Sequence, residues 1–199
     1  MRRIAAVKRV VVLLSGSGTL FQALLDAIGA GEVDAQVVAV VADRSECEGL
    51  ERARRAGIPA FAHPFAKGSD RAAWDVELRD IVARFNPDLV ASAGFMKLVG
   101  EAFLADFGGR TINTHPALLP SFPGMHGPRD ALRAGVKVSG ATVFVVDEGV
   151  DTGRILLQEA VDVLADDDVA SLHERIKVVE RRLFVQAVRD WPSGTGASN

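Results

Sequence analysis

The sequence predicts an α/β fold, a doubly wound and mostly parallel sheet, from three observations. Short continuous apolar runs alternate with amphipathic stretches through the first half of the chain. A glycine-rich turn, Ser15-Gly16-Ser17-Gly18-Thr19, joins the first apolar run to the first amphipathic stretch. The second half reads as further strands closed by one long amphipathic segment. Strands and helices in strict alternation imply parallel pairing with right-handed crossovers.

Taken in order, Arg9 to Leu14 is apolar throughout, as a strand buried on both faces requires. Thr19 to Ile28 carries Leu20, Ala23, Leu24 and Ala27 at helical spacing. Gln36 to Ala42 is a second buried strand. Ser45 to Ala56 reads as a helix with Ser45 as N-cap and Gly57 past its end. Ile58 to His63 is a short strand, and Ser69 to Phe85 a helix burying Trp74, Leu78, Ile81 and Val82. Asp88 to Ser92 and Arg110 to Thr114 are strands. From Pro116 to Gly127 the chain is rich in Pro and Gly, and so long a loop is more often functional than idle. Gly127 to Ala134 reads as a helix, Val138 to Val146 and Arg154 to Val161 as strands, and Val169 to Arg189 as an amphipathic helix. No repeat or linker divides the chain. It is expected to be one domain over 1–199, with a mononucleotide-binding half (1–100), a catalytic half (101–192) and a small polar tail (193–199) that is expected to be disordered.

Composition narrows the chemistry. Of 199 residues, 48% are hydrophobic, enough for one sizeable core, and the net charge is -3. Lys and Arg are interspersed with acids, so no basic face predicts nucleic acid as a partner. The excess at Arg2-Arg3 and Lys8-Arg9 is short and terminal, and reads as a solvated end. No apolar run spans a bilayer. Val10 to Leu14 runs straight into the glycine turn with no cleavage motif, so it is not read as a signal peptide. The expectation is a soluble, cytoplasmic protein. Cys47 is the only cysteine, which excludes an intrachain disulfide. Glutamates flank it on both sides and disfavour a thiolate, so it is read as structural. The four histidines show no ligand spacing, and no metal is expected. His173 is expected to pack or cap, and His126 to brace the loop around it or simply lie in it.

At the start of a helix, free backbone N–H groups beside glycines can cradle a phosphate. The turn at Gly16, Ser17, Gly18 and Thr19 lacks the Gly-Lys of a Walker loop and the third glycine of a dinucleotide fingerprint, position 21 being Phe21. If it binds a ligand, a mononucleotide or monophosphate fits. A tight turn that needs glycine for its dihedrals explains the residues equally well.

Asn113 and His115 are two residues apart at a strand end, so they project from one face, and Pro116 stops the strand. Asn can donate to a developing oxyanion, and His can carry a proton near neutral pH. A turn cap and a hydrogen-bonded loop histidine account for the pair as readily. Asp147-Glu148-Gly149-Val150-Asp151-Thr152-Gly153 has by default the character of an acidic turn. It lacks the spacing and closing glutamate of a calcium loop. A carboxylate delivered from it to His115 would orient the imidazole.

Asn113-Thr114-His115-Pro116-Ala117-Leu118-Leu119-Pro120, followed by Pro123-Gly124 and His126-Gly127, resembles the core of the folate-dependent formyltransferases. Gly140-Ala141-Thr142-Val143 leading to Asp151-Thr152-Gly153 resembles that family's second signature, in the same order and spacing. The resemblance runs from Val10 to about Val188. It implies a Rossmann-like fold and transfer of formyl from 10-formyltetrahydrofolate, as co-substrate and without metal, to the amine of glycinamide ribonucleotide in purine biosynthesis. It implies Asn113, His115 and Asp151 as the catalytic centre. For the ribonucleotide it implies Gly16, Ser17, Gly18, Thr19, Leu20, Arg71, Gly94, Met96, Pro116, Lys177 and Glu180, with Glu180 on the ribose hydroxyls. For the folate it implies Phe95, Lys97, Leu98, Val99, Asp147, Glu148 and Asp151. Leu20 stands where the family often has Asn, which removes one side-chain contact to phosphate. Lys97 stands where Arg is common, replacing a planar fork with a point charge. The expected partners are the two small molecules, and the chain is expected to be a monomer or homodimer. Two other readings are a hydrolase that deformylates the folate with water, which usually carries a further N-terminal domain, and a non-catalytic nucleotide-binding module.

Overall fold

The computed structural model describes residues 7–193. The expectations for Arg2-Arg3 and for the tail beyond Ser193 lie outside the described residues. Seven strands form one sheet in the order β3-β2-β1-β4-β5-β6-β7. β1 (Lys8–Leu14), β2 (Ala35–Ala42), β3 (Ala60–Ala62), β4 (Leu89–Ser92) and β5 (Thr111–His115) are parallel to one another. β6 (Val138–Val145) runs antiparallel to β5, and β7 (Ile155–Asp162) antiparallel to β6.

The unbroken apolar run in β1 follows from its central place. Val10, Val12 and Leu14 face one core together with Phe21 and Leu24 of α1 (Thr19–Gly29), Leu50 of α2 (Glu48–Arg55), and Leu172, Ile176 and Phe184 of α6 (Val169–Asp190). Val11 and Leu13 face the other, against Trp74 and Leu78 of α3 (Arg71–Ala83) and Phe103 and Phe107 of α4 (Glu101–Phe107). Burying one such Leu or Phe is worth about 2 kcal/mol, against about 0–1 kcal/mol for an exposed ion pair, so these two layers hold the sheet. α5 (Gly127–Ala134) lies beside α6.

Three local expectations are corrected. α2 begins at Glu48, not at Ser45; Cys47 takes the N-cap position, and no side chain caps the helix. Instead the Gly49 N–H donates to the Gly16 carbonyl at 3.0 Å, so the glycine turn does the capping. β3 is only three residues long. α4 has no counterpart in the sequence reading, because it is short and its start is fixed from a distance. Asp75 of α3 accepts from the N–H groups of Gly100, at 2.5 Å, and Phe103, at 3.0 Å.

β1 is flanked by β2 on one side and β4 on the other, so the crossovers diverge there. A crevice opens at the carboxyl ends of strands at such a point. The loops after β1, β4 and β5 all end in it.

Candidate active site

A cavity of about 710 Å³ lies at these strand ends. It takes Gly16 to Leu20 from the β1–α1 turn, Gly94 to Val99 from the loop after β4, and Asn113 to Pro116 from β5. Asp147 to Asp151 come from the β6–β7 loop, and Lys177 and Glu180 from α6.

At the glycine turn, Gly18 sits at φ 69°, where an L side chain is strained, and it takes the N-cap position of α1. A Cβ there would lie 2.8 Å from the Gly49 Cα. No side chain caps α1, so its first-turn N–H groups and the positive end of its dipole are presented to the cavity. Ser15 Oγ accepts the Met96 N–H at 2.7 Å, tying this turn to the loop after β4.

At β5, Asn113 is half-buried and His115 buried, with Thr114 between them on the opposite face. His115 Nε2 is 2.7 Å from the Phe122 carbonyl. A carbonyl only accepts, so Nε2 carries the proton and Nδ1 is left facing Asp151 Oδ2, 3.3 Å away. Oδ2 also accepts the Gly124 N–H at 2.7 Å. Asp151 has φ 56°, a left-handed conformation that Asp tolerates better than most residues and that turns its carboxylate back toward the strand. Gly127 closes on the same group, since a Cβ there would lie 3.3 Å from His115 Nε2 and 2.9 Å from the Pro116 carbonyl. Among the described residues the Asn113 side chain forms no hydrogen bond, and its amide is available to a ligand.

The antiparallel strands hold this loop. The Thr142 hydroxyl donates to the Ala117 carbonyl at 2.7 Å and accepts the Leu119 N–H at 3.1 Å. Gln158 on β7 donates to the Leu119 carbonyl and to Thr142 Oγ1, at 2.7 and 2.9 Å. Asp147 Oδ1 accepts from the Gly149 N–H and the Thr152 hydroxyl, at 3.0 and 2.7 Å, shaping the loop that carries Asp151.

Glu180 is buried, and that burial pushes its carboxyl up to about 7, with the Thr114 hydroxyl and the charges of Lys177 and Arg181 opposing the shift. Burial lowers the half-buried His173 below its usual value, and Lys177 adds to the effect. Phe95, Met96, Leu98 and Val99 supply an apolar wall, extended by Met125 and Val150. Met96 is 57% and Leu98 60% exposed, large apolar side chains left in the open at the edge of a cavity.

Of the residues predicted from sequence, Arg71 alone is not brought to the cavity. Its guanidinium stacks 4.4 Å from the Trp74 ring and 5.2 Å from Phe65, and bonds the Leu98 carbonyl. Arg44, His173, Arg181 and Met125 line the cavity without having been predicted to do so. Arg44 follows β2, the strand beside the glycine turn. Its place at a strand end next to β1 was the signal available, and knowing it required the strand order.

Residues 8–188 match the family described as formyl transferase. The chain is 56% identical over 184 residues to a phosphoribosylglycinamide formyltransferase of Mycobacterium tuberculosis, a match covering 92% of this chain and 85% of the relative. Its structure is similar to a glycinamide ribonucleotide transformylase from Symbiobacterium toebii, with a TM-score of 0.89 and 45% identity over 92% of this chain and 86% of the other. A formyltetrahydrofolate deformylase from Pseudomonas syringae has a TM-score of 0.86 and 26% identity, covering 93% of this chain but 61% of its own.

Proposed function

The chain belongs to the formyl transferase family, and from that premise we propose that its cavity transfers a formyl group between two small molecules, using Asn113, His115 and Asp151. It carries formyl from 10-formyltetrahydrofolate to the amine of glycinamide ribonucleotide, a step of purine biosynthesis. The single observation that carries the reading is the His115–Asp151 contact beside Asn113, because a carboxylate distant in sequence meets the two β5 side chains at one cavity.

The cavity's two ends suit the two substrates. The glycine turn and the α1 N-terminus offer N–H donors to the ribonucleotide phosphate, and Glu180 can accept from its ribose hydroxyls. The apolar wall of Phe95, Met96, Leu98 and Val99 suits a flat folate ring, with Lys97 and Asp147 to Glu148 as polar neighbours. The test of fit is the exposed Met96 and Leu98, which a ring would cover.

Attack of the amine on the formyl carbon places negative charge on the formyl oxygen. Asn113 donates to that oxygen, and one preorganised donor is worth about 3 kcal/mol of barrier. His115, held through Nε2–H by the Phe122 carbonyl and at Nδ1 by Asp151, lies beside the same oxygen and keeps the Asp151 carboxylate in place. Asp151 accepts the amine proton, directly or through water. The oxyanion then collapses, the bond from the formyl carbon to the folate nitrogen breaks, and that nitrogen leaves as N–H with the proton returned from Asp151 or water. Arg71 braces Leu98 in this account and does not touch phosphate. The protein acts as a monomer or homodimer in the cytoplasm, with neither nucleic acid nor metal.

When the protein is mixed with both substrates, tetrahydrofolate should be released only in the presence of the amine. Release without it would replace the transferase with a hydrolase, and no release at all would leave a nucleotide-binding module.

A further inference from the structure

Arg52 lies outside the cavity and has no role in the chemistry above, yet it is built into the glycine turn. Its Nε donates to the Ser17 carbonyl at 2.9 Å, and its Nη1 to Gln22 Oε1, also at 2.9 Å. One turn earlier on the same helix, the Gly49 N–H donates to the Gly16 carbonyl at 3.0 Å. The backbone of Gly49 also comes so close to Gly18 that a Cβ on Gly18 would lie 2.8 Å from the Gly49 Cα, and a Cβ on Gly49 would run into Leu14 and lie 3.1 Å from the Gly16 carbonyl. α2 therefore takes up two successive carbonyls of the turn.

We propose that Arg52 is a positioning residue for phosphate, holding the Ser17 carbonyl toward α2 so that the Gly18 N–H of the same peptide unit points into the cavity. The inference rests on the reading of the glycine turn as a phosphate cradle. The physical reason is peptide planarity: the C=O of Ser17 and the N–H of Gly18 belong to one plane and point in opposite directions. Fixing the carbonyl fixes the donor. A freed peptide could rotate and present its carbonyl, which repels an anion. The second contact, to Gln22, prevents the guanidinium from swinging away. Gln22 is itself held by Asp26, with its Nε2 donating to Asp26 Oδ1 at 2.8 Å. A two-pronged hold of this kind needs the planar fork of arginine.

The expected result for Arg52→Ala is a rise of about tenfold in KM for the ribonucleotide, the scale of one hydrogen bond from a charged donor. The inhibition constant of inorganic phosphate should rise in parallel. At saturating ribonucleotide, kcat and the KM for folate should stay within about twofold of the parent, because no group at β5 is disturbed. Arg52→Lys should recover only a minor part of the loss, since an ammonium cannot bridge both acceptors. An unchanged phosphate inhibition constant in Arg52→Ala would overturn the proposal. So would an equal loss in kcat and in both KM values, the mark of general destabilisation, or full recovery by Lys, the mark of charge alone. If the unmodified protein were indifferent to phosphate, it is the phosphate reading of the turn that would fall, a result separate from any effect of Arg52.

Discussion

At the end of β1 the cavity is lined by a glycine turn that leads into the uncapped N-terminus of α1, whereas at the end of β5 it is lined by Asn113 and His115. The first set is held from behind by α2, through carbonyls of the turn itself. The second is completed by Asp151, which arrives from the β6–β7 loop because β6 lies antiparallel beside β5. A backbone site tolerates many side-chain changes and fails when an atom is added. A side-chain site fails when the functional atom is removed. The two ends of one cavity therefore have opposite vulnerabilities.

The largest effect is expected at the side-chain end. Asn113→Ala and Asp151→Asn should each lower kcat by roughly 100- to 1,000-fold, the scale for losing one preorganised group in a reaction of this type. Asp151→Asn is the sharper probe. Asparagine tolerates the left-handed backbone at φ 56° and keeps an acceptor for the Gly124 N–H, so only the charge facing His115 is lost. Melting curves should overlay those of the parent. Turnover close to the parent's would break the contrast, since the β5 end would then work without its side chains.

At the backbone end the matching experiment adds one carbon. Gly18→Ala must fit a Cβ 2.8 Å from the Gly49 Cα and hold φ 69°, where an L residue pays about 1–2 kcal/mol. The turn must shift, and KM for the ribonucleotide should rise by roughly tenfold or more while kcat changes less. A drop confined to kcat would mean that the turn serves the reacting atoms and not an anchoring phosphate.

These opposite designs also explain what the sequence made legible. The buried strands β1, β2 and β4 carry continuous apolar runs, and that period needs no partner to be recognised. The glycine turn was equally visible, but its packing against α2 was not, because the contacts of Gly16 and Gly18 with Gly49 join segments distant in sequence. The link from His115 to Asp151 was not legible from spacing at all, because it depends on β6 pairing with β5, and it came from the family resemblance instead. α4 was missed because Asp75, a helix away, supplies its cap. Arg71, expected at the ribonucleotide, is held instead by the aromatic faces of Trp74 and Phe65 and by the Leu98 carbonyl, and neither Phe65 nor Leu98 belongs to its sequence motif.

Glu180 should have the smallest effect on turnover, and it tests whether the ribonucleotide end relies on backbone alone. Its carboxyl has a folded value of about 7 against 4.5 when exposed, because burial disfavours the charge. With the folded value raised, the stability contribution is fully present below pH 4.5 and is lost as pH rises through about 7. Integrated over that window the loss approaches about 3 kcal/mol, so Glu180→Gln should remove most of it, read by denaturant unfolding at the two ends of the range. Binding should run the other way. The ionised carboxylate accepts from two ribose hydroxyls more strongly than the neutral acid does, so the parent's KM for the ribonucleotide should fall as pH rises through about 7, and that of Glu180→Gln should stay flat at a value several-fold higher. The groups facing this carboxyl are the Thr114 hydroxyl, Lys177 and Arg181, and His173 lines the same cavity from the same helix. A KM profile that persists in Glu180→Gln would move the titration to another group, with His173 first in line. Backbone donors would then grip the ribonucleotide without help from this carboxylate, and the contrast between the two ends would be complete.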